Sequence, residues 1–215
     1  MGFYAELKKQ RWDDHRYYHH SRINQALHLL SAMSFLAMYG VIFFDPIAAA
    51  MLGWVAAMVL RQAGHFFFEP KDYDELNQAT FEHKEEIKVG YNLFRKVVLL
   101  SIWAAIPVVL LADPTLGGLM AAVPEGTSAY WYNVSILWLW LGVAAVLFRT
   151  IQLFFVADPK TGVVWMTKIL TDPFHDVKMY GSAPFWLARG QLIDPMEHIA
   201  EQLQDPAHDA PNQAA

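Results

Sequence analysis

The chain has 215 residues, long enough for one ordinary domain or for a small bundle of membrane helices. Hydrophobic residues make up 55% and charged residues 17%, where an ordinary soluble domain carries about 25% charged residues, so a disordered chain is excluded. The net charge of -5 removes any general attraction for phosphate backbones, so no nucleic-acid partner is expected, and the absence of cysteine excludes disulfides, iron–sulfur clusters, thiolate-bound haem and cysteine zinc sites. Nine histidines remain as metal-binding side chains.

The first 25 residues are charged and aromatic and contain no apolar core of a secretory signal, so none is expected. A hydrocarbon core of about 30 Å needs roughly 20 apolar residues in a helix. Four stretches come close, at about 26–44, 46–68, 97–112 and 134–157. The predicted fold is therefore all-α, a polytopic membrane protein of four transmembrane helices, with residues 1–204 as one membrane-embedded domain. Asp45-Pro46 makes the first two spans an antiparallel hairpin, and Pro107 is expected to kink the third and free a backbone carbonyl. Beyond Asp158 the chain turns polar. Asp172-Pro173 and Asp194-Pro195 each place an acid before proline, and Glu197 completes a capping-box spacing with Asp194, which predicts two cytoplasmic helices. The tail 205–215 reads as disordered.

Lysine and arginine alternate along the chain. Five precede the first span, five lie between the second and third (Lys71, Lys84, Lys88, Arg95, Lys96), and Lys160, Lys168, Lys178 and Arg189 follow the fourth. The turn at Asp45-Pro46 and the loop 113–133 contain none. Both termini and the middle loop are thus expected on the cytoplasmic side, and the simple topology fits a bacterial inner membrane better than the endoplasmic reticulum.

The histidines gather at the cytoplasmic end of this arrangement. His20, Asn24 and His28 are spaced four apart, as are Arg61, His65 and Glu69 in the antiparallel second span, so each set forms one helical stripe. His15 and His19 form a further pair, and His83, His175 and Asp176 can reach the same region; His198 and His208 have no such neighbours. A single histidine at a span end is more often an interfacial amphipath than a ligand. Two facing stripes in apolar surroundings favour a metal site instead, because polar groups inside a membrane are costly. Imidazole with at most a carboxylate suits iron, zinc, copper or nickel. Arg61 and Arg149 lie inside spans that contain no Asp or Glu; each either snorkels, faces a wet cavity or meets an anion such as a fatty acid carboxylate.

Tyr18-His19-His20, Asn24 and His28 together resemble the N-terminal motif of small membrane dioxygenases that carry out α-oxidation of 2-hydroxy fatty acids. Gly64-His65 with Glu69 and Pro70 resembles the second motif of that family, and Gly53-Trp54 resembles its approach to it. The resemblance covers about residues 17–70. In the family more chain separates the two motifs, and the segment 171–195 has no counterpart in it. The resemblance implies an iron(II) enzyme that uses dioxygen to shorten a 2-hydroxy fatty acid by one carbon. Within it, His20, His28 and His65 are the expected ligands, with His19 the alternative to His20. Glu69 would ligate or orient His65, and Asn24 would support the ligands. His175 and Asp176 would close the site, and Arg61 or Arg149 would hold the substrate carboxylate. Two other classes fit the same histidines: a b-type haem held by His28 and His65 for electron transfer, or a non-enzymatic lipid-binding protein stabilised by zinc.

Overall fold

The computed structural model describes residues 1–120, 123, 124 and 127–196, and these are helical with no strand among them. In chain order the helices are α1 (Phe3–Tyr18), α2 (Arg22–Val41), α3 (Pro46–Phe68), α4 (Phe81–Ile87), α5 (Leu93–Ala112), α6 (Ala129–Val156), α7 (Pro159–Tyr180) and α8 (Ala183–Ala188). Three of them, α3, α5 and α6, are long and apolar enough to cross a membrane. At 1.5 Å per residue the shortest of these spans about 30 Å, the thickness of a hydrocarbon core. Their outward surfaces are apolar too: Val97, Ile102, Val108 and Leu111 of α5 and Val143, Leu147, Phe148 and Phe155 of α6 are all exposed. Surface of that extent is at home in lipid, not in water.

The first predicted span falls on α2, which is not among those three. Its inward face carries Asn24, Gln25, His28 and Ser31, all buried inside the protein, and these polar residues dilute its apolarity. Asp45 caps α3 by accepting from the amides of Ile47 and Ala48, and Pro46 occupies the first helical position, so the expected hairpin turn is present. Within α3, two stretches, Met51–Met58 and Gly64–Phe68, wind as π-helix.

The third and fourth predicted spans begin earlier than expected, at Leu93 and Ala129; at the first of these Asn92 caps α5 by accepting from the amide of Arg95. Pro107 lacks the N–H that would bond the carbonyl of Trp103, four residues back. The indole of Trp138 donates to that carbonyl at 2.9 Å, so the carbonyl freed by the proline is used to join α5 to α6. Trp103 stacks on both Trp54 and Trp138 (centroids 6.2 and 5.2 Å apart), and Trp54 donates to the Trp138 carbonyl at 2.6 Å. With Ala50, Leu110 and Val134 these rings form the apolar core that ties α3, α5 and α6 together.

The two helices expected after the fourth span are a correction. Asp158, not Asp172, caps the helix, accepting from the Thr161 amide at 2.9 Å, and α7 runs through Asp172-Pro173 without a break. A mid-helix proline costs about 3 kcal/mol; here the buried bonds of Asp172 to Lys168 and Arg11 offset it. Asp194 does not start a helix among the described residues. It anchors the chain to the start of α2 instead, accepting from Gln25 (2.8 Å) and pairing with Arg22 (2.9 Å). Glu197 and the tail 205–215 lie outside the described residues.

α1 and α4 are further elements. α1 packs on α7 through Arg11 with Asp172, Asp14 with Lys168, and Glu6 with Thr161. The middle loop folds back on the same end: Asn77 and Lys84 donate to the carbonyls of Arg16 and Tyr17, and the Tyr18 hydroxyl donates to the Lys84 carbonyl at 2.5 Å.

Candidate metal centre

α1 ends at Tyr18, and His19 adopts a non-helical conformation before α2 begins at Arg22. That break sets which histidine turns inward. His19 is buried, and its Nδ1–H donates to the carbonyl of Asp14 at 2.9 Å, which leaves Nε2 with a free lone pair. His28, on the buried face of α2, is 0% exposed, and its Nε2 lies 3.3 Å from Nε2 of His19. His65 comes from the π-helical turn at the end of α3; its Nδ1–H donates to Glu69 at 2.6 Å, again leaving Nε2 free. One ring nitrogen of each histidine lies within 4.8 Å of those of the other two.

Gly64 makes this approach possible. A Cβ at that position would collide with the amide oxygen of Asn24 and stand 3.5 Å from the His28 ring. Only glycine lets α3 come so close to α2. Asn24 itself is fully buried and donates to the Tyr18 carbonyl at 2.9 Å, which fixes the α1–α2 junction.

Arg61, in the span below the histidines, is paired. Asp176 of α7 lies 3.8 Å from His28 Nδ1 and accepts from Arg61 at 3.0 Å. Arg61, expected to snorkel or to meet a substrate, is therefore neutralised by an acid from outside the spans. Tyr180 packs its ring 5.4 Å from His19 and 6.1 Å from His28, with its hydroxyl 3.3 Å from His15 Nδ1. Burial, with the Asp176 and Asp14 carboxylates close by, raises the Tyr180 phenol well above its ordinary range, so it stays protonated. Burial, then the neighbouring His28 and His15 and the Arg61 guanidinium, hold His19 well below the usual imidazole range, so it is neutral. Lys168 is buried, which opposes its charge, yet Asp14 and Asp172 together hold its ammonium above the ordinary lysine range.

This donor set fits a metal ion. Imidazole nitrogens sit about 2.0–2.1 Å from a divalent ion such as zinc, so adjacent ligands stand about 3.0–3.4 Å apart. The His19–His28 pair already meets that spacing. The Asp14 carbonyl and the Glu69 carboxylate supply the acceptors that metal-bound histidines use to fix ring orientation. His28 Nδ1 is buried with no hydrogen-bond partner and points the same need toward Asp176.

Of the residues singled out in the sequence, the structure brings together His19, His28, His65, Asn24, Glu69, Arg61 and Asp176. His20 is turned away: its Nε2 bonds the Arg16 carbonyl at 2.5 Å and lies 3.4 Å from Asp74. The four-residue spacing from His20 to Asn24 presumed one continuous helix, and α2 starts only at Arg22. His175 is half-buried and outside the histidine group, and Arg149 is committed to the Val89 carbonyl (2.9 and 2.6 Å) and to Gln152 (2.6 Å). Tyr180 and Asp14 join the site without being among the residues the sequence singles out. Asp14 acts through its backbone, which no residue pattern marks, whereas the Asp176-to-Tyr180 spacing on α7 does carry a helical signal. No family model, curated protein or solved structure matches this chain.

Proposed function

We propose that the chain is a membrane-bound non-haem iron oxygenase acting on a lipid-like substrate, with α-oxidation of 2-hydroxy fatty acids as the reaction. The observation that carries this reading is the convergence of three imidazole nitrogens within 4.8 Å, two of them with their second nitrogen already committed to an orienting acceptor. The ligand set is His19, His28 and His65. Three protein ligands leave positions for dioxygen and for a chelating substrate, whereas a structural zinc site is closed by four. Iron(II) held by His19, His28 and His65 would supply the redox centre for the activation of dioxygen. The chemistry balances without an external reductant: a 2-hydroxy acid and dioxygen give the acid one carbon shorter, carbon dioxide and water.

The chain's own residues prepare that site. The Asp14 carbonyl and Glu69 fix the tautomers of His19 and His65, and Asp176 faces the remaining nitrogen of His28 while neutralising Arg61. Tyr180 packs its ring beside His19 and His28. The associated topology has α2 as a fourth span and both termini and the middle loop in the cytoplasm of a bacterium, a reading supported by the absence of Lys and Arg from residues 113–133.

A b-type haem is disfavoured by the packing. The rings of His28 and His65 are 4.9 Å apart, and the His19 ring lies 4.3 and 5.4 Å from them, which leaves no slot for a flat macrocycle between two axial imidazoles. Metal content and the optical spectrum of anaerobically purified protein test the proposal. About one iron per chain without a Soret band is the expected result. A Soret band, or stoichiometric zinc with no turnover of 2-hydroxy fatty acids in iron-loaded protein, overturns it.

A further inference from the structure

Glu69 orients His65 through one oxygen only. Its Oε2 accepts from His65 Nδ1 at 2.6 Å, whereas Oε1 is buried and has no hydrogen-bond partner. A buried carboxylate oxygen left unpaired is costly. The backbone does little to fix this side chain, because Glu69 is extended and stands just past the end of α3 at Phe68. A carboxylate held at a single point swings about its side-chain torsions, and a ligand aimed by it swings with it.

A cavity of about 20 Å³ borders His65 and Glu69, with Glu85 of α4 and Lys96 of α5 on its other walls. Glu85 accepts from Lys88 at 3.0 Å and from the Leu93 amide at 2.5 Å, and the Lys88 ammonium also lies 3.6 Å over the Tyr18 ring. Lys71, at the same cavity, is exposed. Lys96 is 9% exposed, and among the described residues its ammonium makes no direct hydrogen bond and has no carboxylate oxygen within 4.0 Å. Glu69 and Lys96 are thus opposite charges that share one cavity without touching. Burial raises the Glu69 carboxyl above its ordinary range, and Lys88 and Lys96 are the cations that most oppose the rise. The cavity has room for about one water molecule, and Lys96 Nζ with Glu69 Oε1 gives that water the two polar partners it needs. Bonded at about 2.8 Å to each, a water spans separations of up to about 5.6 Å.

We propose that Lys96 is a positioning residue for the metal ligand His65: through one bridging water it holds Glu69 Oε1, so that Oε2 stays on His65 Nδ1 and His65 Nε2 stays aimed at the ion. This rests on the reading of His19, His28 and His65 as metal ligands. Lys96 touches neither the ion nor a substrate. It acts through the carboxylate, and by doing so it makes the start of α5 a support for a ligand carried at the end of α3.

Cobalt(II) titration of metal-free protein in detergent, in competition with a chromophoric chelator, tests the positioning without iron, dioxygen or turnover. Lys96→Met and Lys96→Ala should each weaken cobalt binding about tenfold, the lower end of the effect of residues that orient a metal-bound histidine, and Lys96→Arg should stay within about threefold of wild type. In a Glu69→Gln background the Lys96→Met change should shrink to less than about twofold, because the carboxylate through which Lys96 acts is gone. An equal loss in both backgrounds marks Lys96 as a packing residue and overturns the proposal, as does undiminished binding in either neutral Lys96 variant. Cobalt bound as tightly by His65→Ala as by wild type overturns the metal reading itself, and the role of Lys96 with it; cobalt lost in His65→Ala but indifferent to Lys96 overturns the positioning alone.

Discussion

At the scale of single residues, the two neighbours His19 and His20 have opposite assignments, and this makes a sharp comparison. His19→Ala, His28→Ala and His65→Ala should each abolish stoichiometric iron and turnover, whereas His20→Ala should retain iron, because its ring bonds Arg16 and Asp74. Loss of iron from His20→Ala with retention in His19→Ala would reverse the assignment; metal analysis reads it directly. Glu69→Gln keeps an acceptor for His65 but removes its charge, and iron affinity should fall about 10–100-fold, as for other residues that orient a metal-bound histidine. His19 also sets a pH dependence for the metal-free protein. Its folded-state affinity for protons lies well below the ordinary imidazole value of 6.5, while the unfolded chain titrates near that value. The unfolded state therefore binds more protons on acidification, and stability is held above about pH 7.5 and lost as pH falls through 6.5. Thermal melts of metal-free protein should show Tm falling over that interval, less steeply in His19→Gln. An unchanged slope would remove His19 as the cause.

Among the elements, the close approach of α3 to α2 rests on a missing side chain. Gly64→Ala should separate the helices and lower iron affinity at least about tenfold, as the loss of a well-placed support does. Gly142→Ala is the control, since a Cβ there meets Trp54 at an ordinary 3.9 Å; equal iron loss in both would point to general loosening. Trp138→Phe should cost about 1–3 kcal/mol beyond its packing, because the Trp103 carbonyl freed by Pro107 would be left unpaired; comparison with Trp138→Phe in a Pro107→Ala background isolates that part. These elements also explain what the sequence made legible. Asn24 with His28, and Arg61 with His65, each lie within one helix, so spacing alone puts each pair on one surface. The carbonyl freed by Pro107 follows from covalent chemistry, although its indole partner does not. Spacing favours His20 over His19 because the position of His19 depends on where α1 stops, a matter of packing of Asn24 against the Tyr18 carbonyl. Asp172-Pro173 reads as a helix start in isolation and lies mid-helix because Arg11 and Lys168, about 160 residues and one turn away respectively, claim the aspartate.

For the whole molecule, the topology has a direct test that the composition favours. The chain contains no cysteine, so single cysteines report position without further change. Leu119→Cys should react with a membrane-impermeant maleimide added to intact cells, and Glu82→Cys only after permeabilisation; the opposite pattern would invert the orientation. The structure also joins segments that lie far apart in the chain. His19 follows directly on α1, and α1 is held on α7 by ion pairs, Asp14 with Lys168 and Arg11 with Asp172, while the Asp14 carbonyl accepts from His19. The cation and the amino-terminal helix are thus thermodynamically linked: whatever binds all three imidazoles must also favour the seated helix, by mass action. Proteolytic nicking before residue 19 should consequently slow when iron is added and quicken when a chelator strips it, which would make the first two dozen residues a readout of loading for an ion they mostly do not contact.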